Sequence, residues 1–244
     1  MTNPDGRPVT GIARACPDRV EVRGRDLTGD LMGRLTFTEF FHLLLTGEEP
    51  EEEQRFFLDL LLVAIAEHGM MPTNVAARMT LAADPDSLQG AVAAGILGAG
   101  PVVLGTSEEC ARLLERGGEP AEIVRRYREA GGKVPGFGHP VHKPVDPRAE
   151  RILELADQHG VSGPNVELAR ALHAELGLVM NVSMPIAAVM LDLGFQPAAV
   201  KAVPILARTA SLLAHLAEER EEPIGFDLAA AAADAVEYEP DVRT

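Results

Sequence analysis

Between residues 50 and 221 the chain is cut, again and again, into helix-length apolar segments, most opened by proline, an acid or a capping side chain and punctuated by glycine or proline. "PEEEQRFFLDLLLVAIAEHG" sets the pattern: acids in the first turn, an apolar body, and Gly69 as a stop. "SEECARLLERGG" opens on a serine cap and ends on paired glycines, and "PAEIVRRYREAGG" repeats the scheme. "DPRAERILELADQHG" places Asp146 as cap and Pro147 at the first helical position. "DSLQGAVAAGILGAG", "GPNVELARALHAELG", "SMPIAAVMLDLG" and "QPAAVKAVPILARTASLLAHLAEER" read as further helices, the last as one continuous element. No stretch alternates apolar and polar residues for longer than a short strand. The pattern therefore predicts an all-α fold. The tail "YEPDVRT" is expected to be mobile.

A chain of 244 residues can bury a sizeable core, and its formal charge of −15 argues against nucleic acid and anionic membranes as general partners. Cys16 and Cys110 are far apart with no metal-ligand spacing, so neither a disulfide scaffold nor a metal is expected, and Cys110 reads as a buried, inert thiol. The start of the chain lacks the apolar run of a signal peptide, and the uninterrupted run "LLLVAIA" is too short to span a bilayer. A cytoplasmic protein follows as an expectation.

One segment does not serve a core. "VPGFGHPVHKPVDPR", residues 134–148, gathers two glycines, two histidines, a lysine and an arginine. Its glycines would let a ligand approach backbone N–H groups closely. His139 is suited to donate to a carbonyl oxygen or to exchange a proton near neutral pH. Arg148 falls in a first helical turn, where the macrodipole disfavours a cation. A ligand carboxylate between Arg148 and that helix start would satisfy both. On residues alone the segment reads equally well as a solvated turn, with Arg148 paired to a glutamate.

The same segment resembles the signature of the citrate synthase superfamily, in which G-[FY]-G-H is followed nine residues after its histidine by the arginine of D-P-R, as His139 is by Arg148. "RGRDLTGDLMGRLTFTEFFHLLLTGEEP" is similar to the family's N-terminal "RGYDI…TFEEVAYLLL" segment. "EHGMMPTNVAARMTLAADPDSLQGAVAAGILGAGP" resembles the helix pair around "DHE.NASTF.AR", and "LARTASLLAHLAEE" resembles the "GRT.GW.AH..E" helix. In length the chain is closer to the compact, citryl-CoA lyase-like members. The resemblance implies a dimer, each chain having a large domain (1–106 and 182–244) and a small, CoA-binding domain (107–181). The small-residue helix "GAVAAGILGAG" would lie at the twofold interface.

Carried over residue by residue, the resemblance implies that His139 holds the carbonyl or hydroxyl oxygen of a four-carbon acid. Arg148, Arg208 and His68 would bind the rest of that acid. Coenzyme A would meet Pro135, Gly136, Phe137, Gly138 and Lys143. The family's last carboxylate-binding arginine has no clear match, although Arg220 lies nearby. Two positions depart from the family. "GPVVLG" has Val103 where the enol-stabilising histidine of "GPLHGG" stands, and "MNVSMPIAAV" has Ser183 in place of the catalytic aspartate of "NVDFYSG". Ser183 should still cap the helix that follows, but a hydroxyl is a poor base.

Two functions are compatible with this pattern. One is a carbon–carbon bond enzyme acting on a CoA thioester and a small oxo- or hydroxy-polycarboxylic acid. In its cleavage direction His139 would serve as base, and backbone N–H groups around Gly100–Gly105 would steady the enolate. The other is a catalytically silent relative that binds CoA or a polycarboxylate.

Overall fold

Proline sets many of the helix starts, because at the first helical position its missing N–H costs no hydrogen bond. The computed structural model describes residues 4–240. It opens with a small antiparallel sheet of β1 (Ala13–Ala15), β2 (Val20–Val22) and β3 (Arg25–Asp26), in that order, followed by a single π-helical turn at Leu27–Leu31. Helices make up the rest: α1 (Phe37–Thr46), α2 (Glu52–Ala66), α3 (Pro72–Ala83), α4 (Leu88–Leu97), α5 (Thr106–Arg116) and α6 (Pro120–Glu129) come first. Then follow α7 (Pro147–Gln158), α8 (Pro164–Leu176), α9 (Ser183–Asp192), α10 (Pro197–Val200), α11 (Ala202–Glu221) and α12 (Gly225–Asp234). Pro72, Pro120, Pro147, Pro164 and Pro197 each open one of them. The all-α reading holds. Residues 241–244 of the tail expected to be mobile lie outside the described residues, and Tyr238 is exposed.

At the centre lies α9, whose residues from Met184 to Met190 are all buried. A helix apolar on every side has no solvent face to offer and must be surrounded. It packs against α5, α7 and α8, and also touches α2. It therefore joins the helices of 107–181 to α2 and α10 on either side of that stretch. A second cluster joins α3, α4 and α11 through Ala77, Leu81, Ala91, Leu212 and Leu216.

Three local readings change. Ser107 does not cap α5: the helix starts at Thr106, and the buried Ser107 hydroxyl donates to the Leu104 carbonyl. The stretch expected as one helix after Gln196 breaks at Lys201. Pro204 has no N–H to return to the carbonyl four residues earlier, which favours a break there. Finally, much of the small-residue character of α4 is used inside the chain. A Cβ on Gly95 would lie 2.7 Å from Leu212 and 2.9 Å from the Thr73 carbonyl. Leu97 remains exposed.

Among the described residues, Pro197–Glu221 is long and apolar enough by length and composition to cross a membrane. A search for uninterrupted apolar runs passes over it because Lys201 and Arg208 break the run. Here α11 packs on α2, α3 and α4.

Charge is buried deliberately in one place away from the cavity. Arg78 on α3 and Glu219 on α11 are each 2% exposed at the side chain and pair at 3.0 Å. Glu218 and His215 Nδ1 also meet Arg78, while Glu219 accepts from the N–H groups of Ile224 and Gly225 at the start of α12. Removing one partner strands the other charge. Arg78→Met should therefore lower the urea unfolding free energy by about 3–5 kcal/mol; a loss below about 1 kcal/mol would show that the pair does not hold α3, α11 and α12 together.

Candidate functional site

A cavity of about 340 Å³ opens between the ends of α2, α5, α7, α9 and the middle of α11. His68, His139, Arg148 and Arg208 all line it, together with Val103, Thr106, Gly138, Asn181 and Ser183. Although the chain carries a formal charge of −15, no acidic side chain among the described residues lines this cavity.

Each cation is held by acids and amides set behind it. Asp146 caps α7, accepting from the Arg148 N–H at 3.1 Å, and it also takes the Arg148 guanidinium at Nε (3.0 Å) and Nη2 (2.8 Å). Its second oxygen accepts from the Val182 N–H at the entrance to α9. The place expected for a ligand carboxylate, between Arg148 and the helix start, is therefore filled by the protein's own Asp146. Arg148 Nη1 has no protein partner among the described residues. Burial disfavours the Asp146 carboxylate, but the hydrogen bonds and charge of Arg148 outweigh it and hold its pKa below the usual range.

On the opposite wall, Glu67 just past α2 accepts from the N–H groups of His68 (2.8 Å) and Gly69 (2.6 Å), from Ser211 and from His215. This tight turn presents His68. Arg208 is 2% exposed. Its Nη1 donates to Asn74 at 3.1 Å, but its buried Nε has no partner among the described residues. Desolvation, with Arg148 adding to it, lowers the Arg208 pKa against the pull of Glu67. A buried, under-partnered guanidinium is costly to keep.

His139 has a defined role in hydrogen bonding. Its Nδ1 accepts from the backbone N–H groups of Val141 (3.1 Å) and His142 (2.8 Å). In the neutral ring the proton is therefore on Nε2, which makes His139 a donor and leaves it no free lone pair. The base role expected for it in cleavage does not fit this tautomer. His68, His139 and His142 bring ring nitrogens within 4.8 Å of one another. The same two N–H bonds occupy His139 Nδ1, and Arg148 and Arg208 stand close by. The cluster thus reads as a hydrogen-bonded one rather than a set of metal ligands.

The rest of the loop divides in two. A Cβ on Gly136 would lie 2.8 Å from both Cys110 Sγ and Met184 Cβ, so this glycine serves core packing rather than close approach by a ligand. Phe137 is buried beside it and bridges to Met180. Of the two motif glycines, Gly138, at φ +88° with open space where a side chain would point, faces the cavity, as do Pro140 and Val141 beyond it. Pro135 is half-buried and Lys143 exposed, and neither lines the cavity. Cys110 is fully buried, which pushes its thiol pKa up, in keeping with an inert thiol. Arg220 is exposed near the end of α11 and does not line the cavity.

A family model described as citrate synthase, C-terminal domain, matches residues 18–225. The chain belongs to the citrate synthase family. It is 36% identical over 131 residues to the citrate synthase of Synechocystis, covering 51% of this chain and 32% of that one. It is 30% identical over 212 residues to the glyoxysomal citrate synthase of Cucurbita maxima, covering 78% of this chain and 40% of that one. The chain thus spans less than half the length of these relatives. The structure of citryl-CoA lyase from Hydrogenobacter thermophilus superposes with a TM-score of 0.87 at 30% identity, covering 97% of this chain and 96% of that one.

Within that family frame, Val103 and Ser183 both line the cavity. Ser183 does not act as a cap: its own N–H donates to the Asn181 side chain at 3.1 Å, and Asn181 also holds the Gly138 carbonyl at 3.0 Å. In the 98–105 loop the N–H groups of Gly100, Val103 and Gly105 are taken by the Gly98 and Gly100 carbonyls. They are not available to an enolate. Asp146, Glu67 and Asn74 were missed as supports of the site. The Asp146 cap was legible locally, but the partners that make it a support were not.

If Arg208 is kept for an anionic ligand, Arg208→Met should leave thermal stability unchanged or raise it. Dicarboxylate affinity should nevertheless fall by about 1.5–3 kcal/mol, roughly ten- to a hundred-fold, by calorimetry with malate. A large loss of stability would make Arg208 a structural cation instead. The histidines give a second outcome. Desolvation, followed by neighbouring cationic groups, lowers the pKa of His68 and His139. The unfolded chain then binds protons that the folded one refuses, so stability should decline as pH falls below about 6.5. A bound dicarboxylate reverses the field, so malate binding should take up protons between about pH 6 and 7, read from calorimetry in buffers of different ionisation enthalpy. Proton release would contradict this electrostatic account.

Proposed function

We propose that this chain cleaves a citryl-CoA-type thioester into a CoA thioester and a small oxo-acid. The observation that carries the reading is a cavity with no acidic side chain among its described lining residues, in which Arg208, Arg148, His68 and the fixed donor His139 converge. Such a set suits a polycarboxylate whose central oxygen lies on His139 and whose carboxylates meet Arg148 and Arg208. The full-length match to a citryl-CoA lyase supports the same direction.

The cleavage direction is favoured over condensation by what lines the thioester side. Condensation begins by removing a proton from a weakly acidic methyl group, and the loss of a base there costs roughly 10²–10⁴ in rate. Val103 has no proton to exchange, and Ser183 is a hydroxyl where a carboxylate would serve. CoA is proposed as the thioester carrier, reaching Gly138 along the loop, with Lys143 meeting its phosphates. A homodimer belongs to this proposal, with exposed Leu97 and Val102 as apolar surface for it; a stable monomer in sedimentation at micromolar concentration would remove that part.

Incubation with citryl-CoA should release oxo-acid, measured by coupled reduction. The same protein with acetyl-CoA in heavy water should exchange its methyl protons hardly at all, even with oxaloacetate bound. Tight polycarboxylate binding without cleavage would favour a silent binding protein, and ready methyl exchange would restore a synthase.

A further inference from the structure

Cleavage requires a group that accepts the hydroxyl proton, and His139 is spent as a donor. The remaining cavity imidazole is His68. Its Nε2 lies 3.1 Å from Nε2 of His142, and its Nδ1 has no protein partner among the described residues. His142 does not itself line the cavity; it stands behind His68, in the same turn that fixes His139 through the His142 N–H. Two ring nitrogens at this distance share one hydrogen, so one ring donates and the other accepts.

We propose that His68 and His142 form a proton relay in which His68 meets the substrate hydroxyl and His142 takes the proton onward. This inference rests on the cleavage reading above and adds the base that it lacks. The hydroxyl O–H breaks, and its proton goes to Nδ1 of His68. The proton on Nε2 of His68 passes to Nε2 of His142. The hydroxyl carbon becomes a carbonyl as the C–C bond breaks, and the electron pair of that bond becomes the enolate of the departing thioester. The path then runs back: His142 returns the proton to Nε2 of His68, and Nδ1 of His68 gives its own through water to the enolate carbon, so protons balance and both rings regain their starting state.

The surroundings make the relay workable in one direction of charge. His68 is faced by Arg148 and Asp146 from the start of α7, by Arg208 from α11, by His139 and His142 from the loop, and by Glu67 before it. The arginines oppose a lasting positive charge on His68, while Asp146 and a bound polycarboxylate favour a passing one. A ring that is neutral at rest and accepts a proton only when an anion is bound is what a transient base requires.

The test compares wild type with His142→Gln, His142→Phe and His142→Ala, using citryl-CoA as substrate and malate as binding probe. Glutamine can keep a hydrogen bond to His68 but cannot carry a proton. The variants should bind malate within about twofold of wild type and keep KM, while kcat falls at least about tenfold. The acidic limb of the kcat–pH profile should move, and added imidazole should restore part of the rate in His142→Ala, where the missing ring leaves room for it, but not in His142→Phe. His142→Gln at wild-type rate would overturn the relay, as would a loss of malate affinity matching the loss of rate. So would wild-type activity lost to a chelator and restored by zinc, since the three histidines would then be ligands. A wild-type protein unable to cleave citryl-CoA removes the underlying reading and the relay with it; an active wild type beside an equally active His142→Gln removes the relay alone.

Discussion

The carboxylate of Asp146 is the joint on which the site depends. Its side chain is fully buried, and it takes four donors: the Arg148 N–H, two guanidinium nitrogens of Arg148, and the Val182 N–H. One group thereby starts α7, aims Arg148 and ties the start of α9 to both. Such a buried charge is tolerable because nearly every lone pair is used, and each bond to it is charge-assisted. The turn carrying His139 and His142 is strung between this joint and Gly138, whose N–H and carbonyl are held by Val179 and Asn181. Both ends of the turn are therefore fixed, and its histidines inherit that order.

The opposite wall follows the same logic with other atoms. Glu67 fixes the turn that bears His68, and Asn74 holds Arg208. In both places the acid or amide stands behind the imidazole or guanidinium rather than in the cavity lining. This explains how a strongly acidic chain contains a pocket with no acid in its lining among the described residues. It also explains why Arg208 is left with an unpaired Nε: satisfying it with another carboxylate would stabilise the free protein and fill the space a polycarboxylate needs.

Packing sets the limits within which this chemistry sits. Gly136, Cys110 and Met184 meet where the loop crosses α5 and α9, so half of the glycine-rich motif belongs to the core and half to the cavity. The thiol is inert for the same reason that the glycine is necessary: neither has room around it.

The sequence by itself determined the all-α class, most helix boundaries, the Asp146 cap with Pro147 behind it, and the identity of the two arginines and two histidines of the cavity. Those signals are local, since caps, stops and apolar periodicity act within a turn or two of helix, and the motif spacing is linear. Tertiary structure alone decided what those residues face. The Val182–Asp146 bond spans 36 residues, the His68–His142 contact 74 and the Arg208–Asn74 bond 134. Whether Gly136 yields room to a ligand or to Cys110, and whether His139 donates or accepts, follows from such contacts. A one-dimensional pattern cannot contain them, because the competing partners for each donor are brought near only when the helices close around α9.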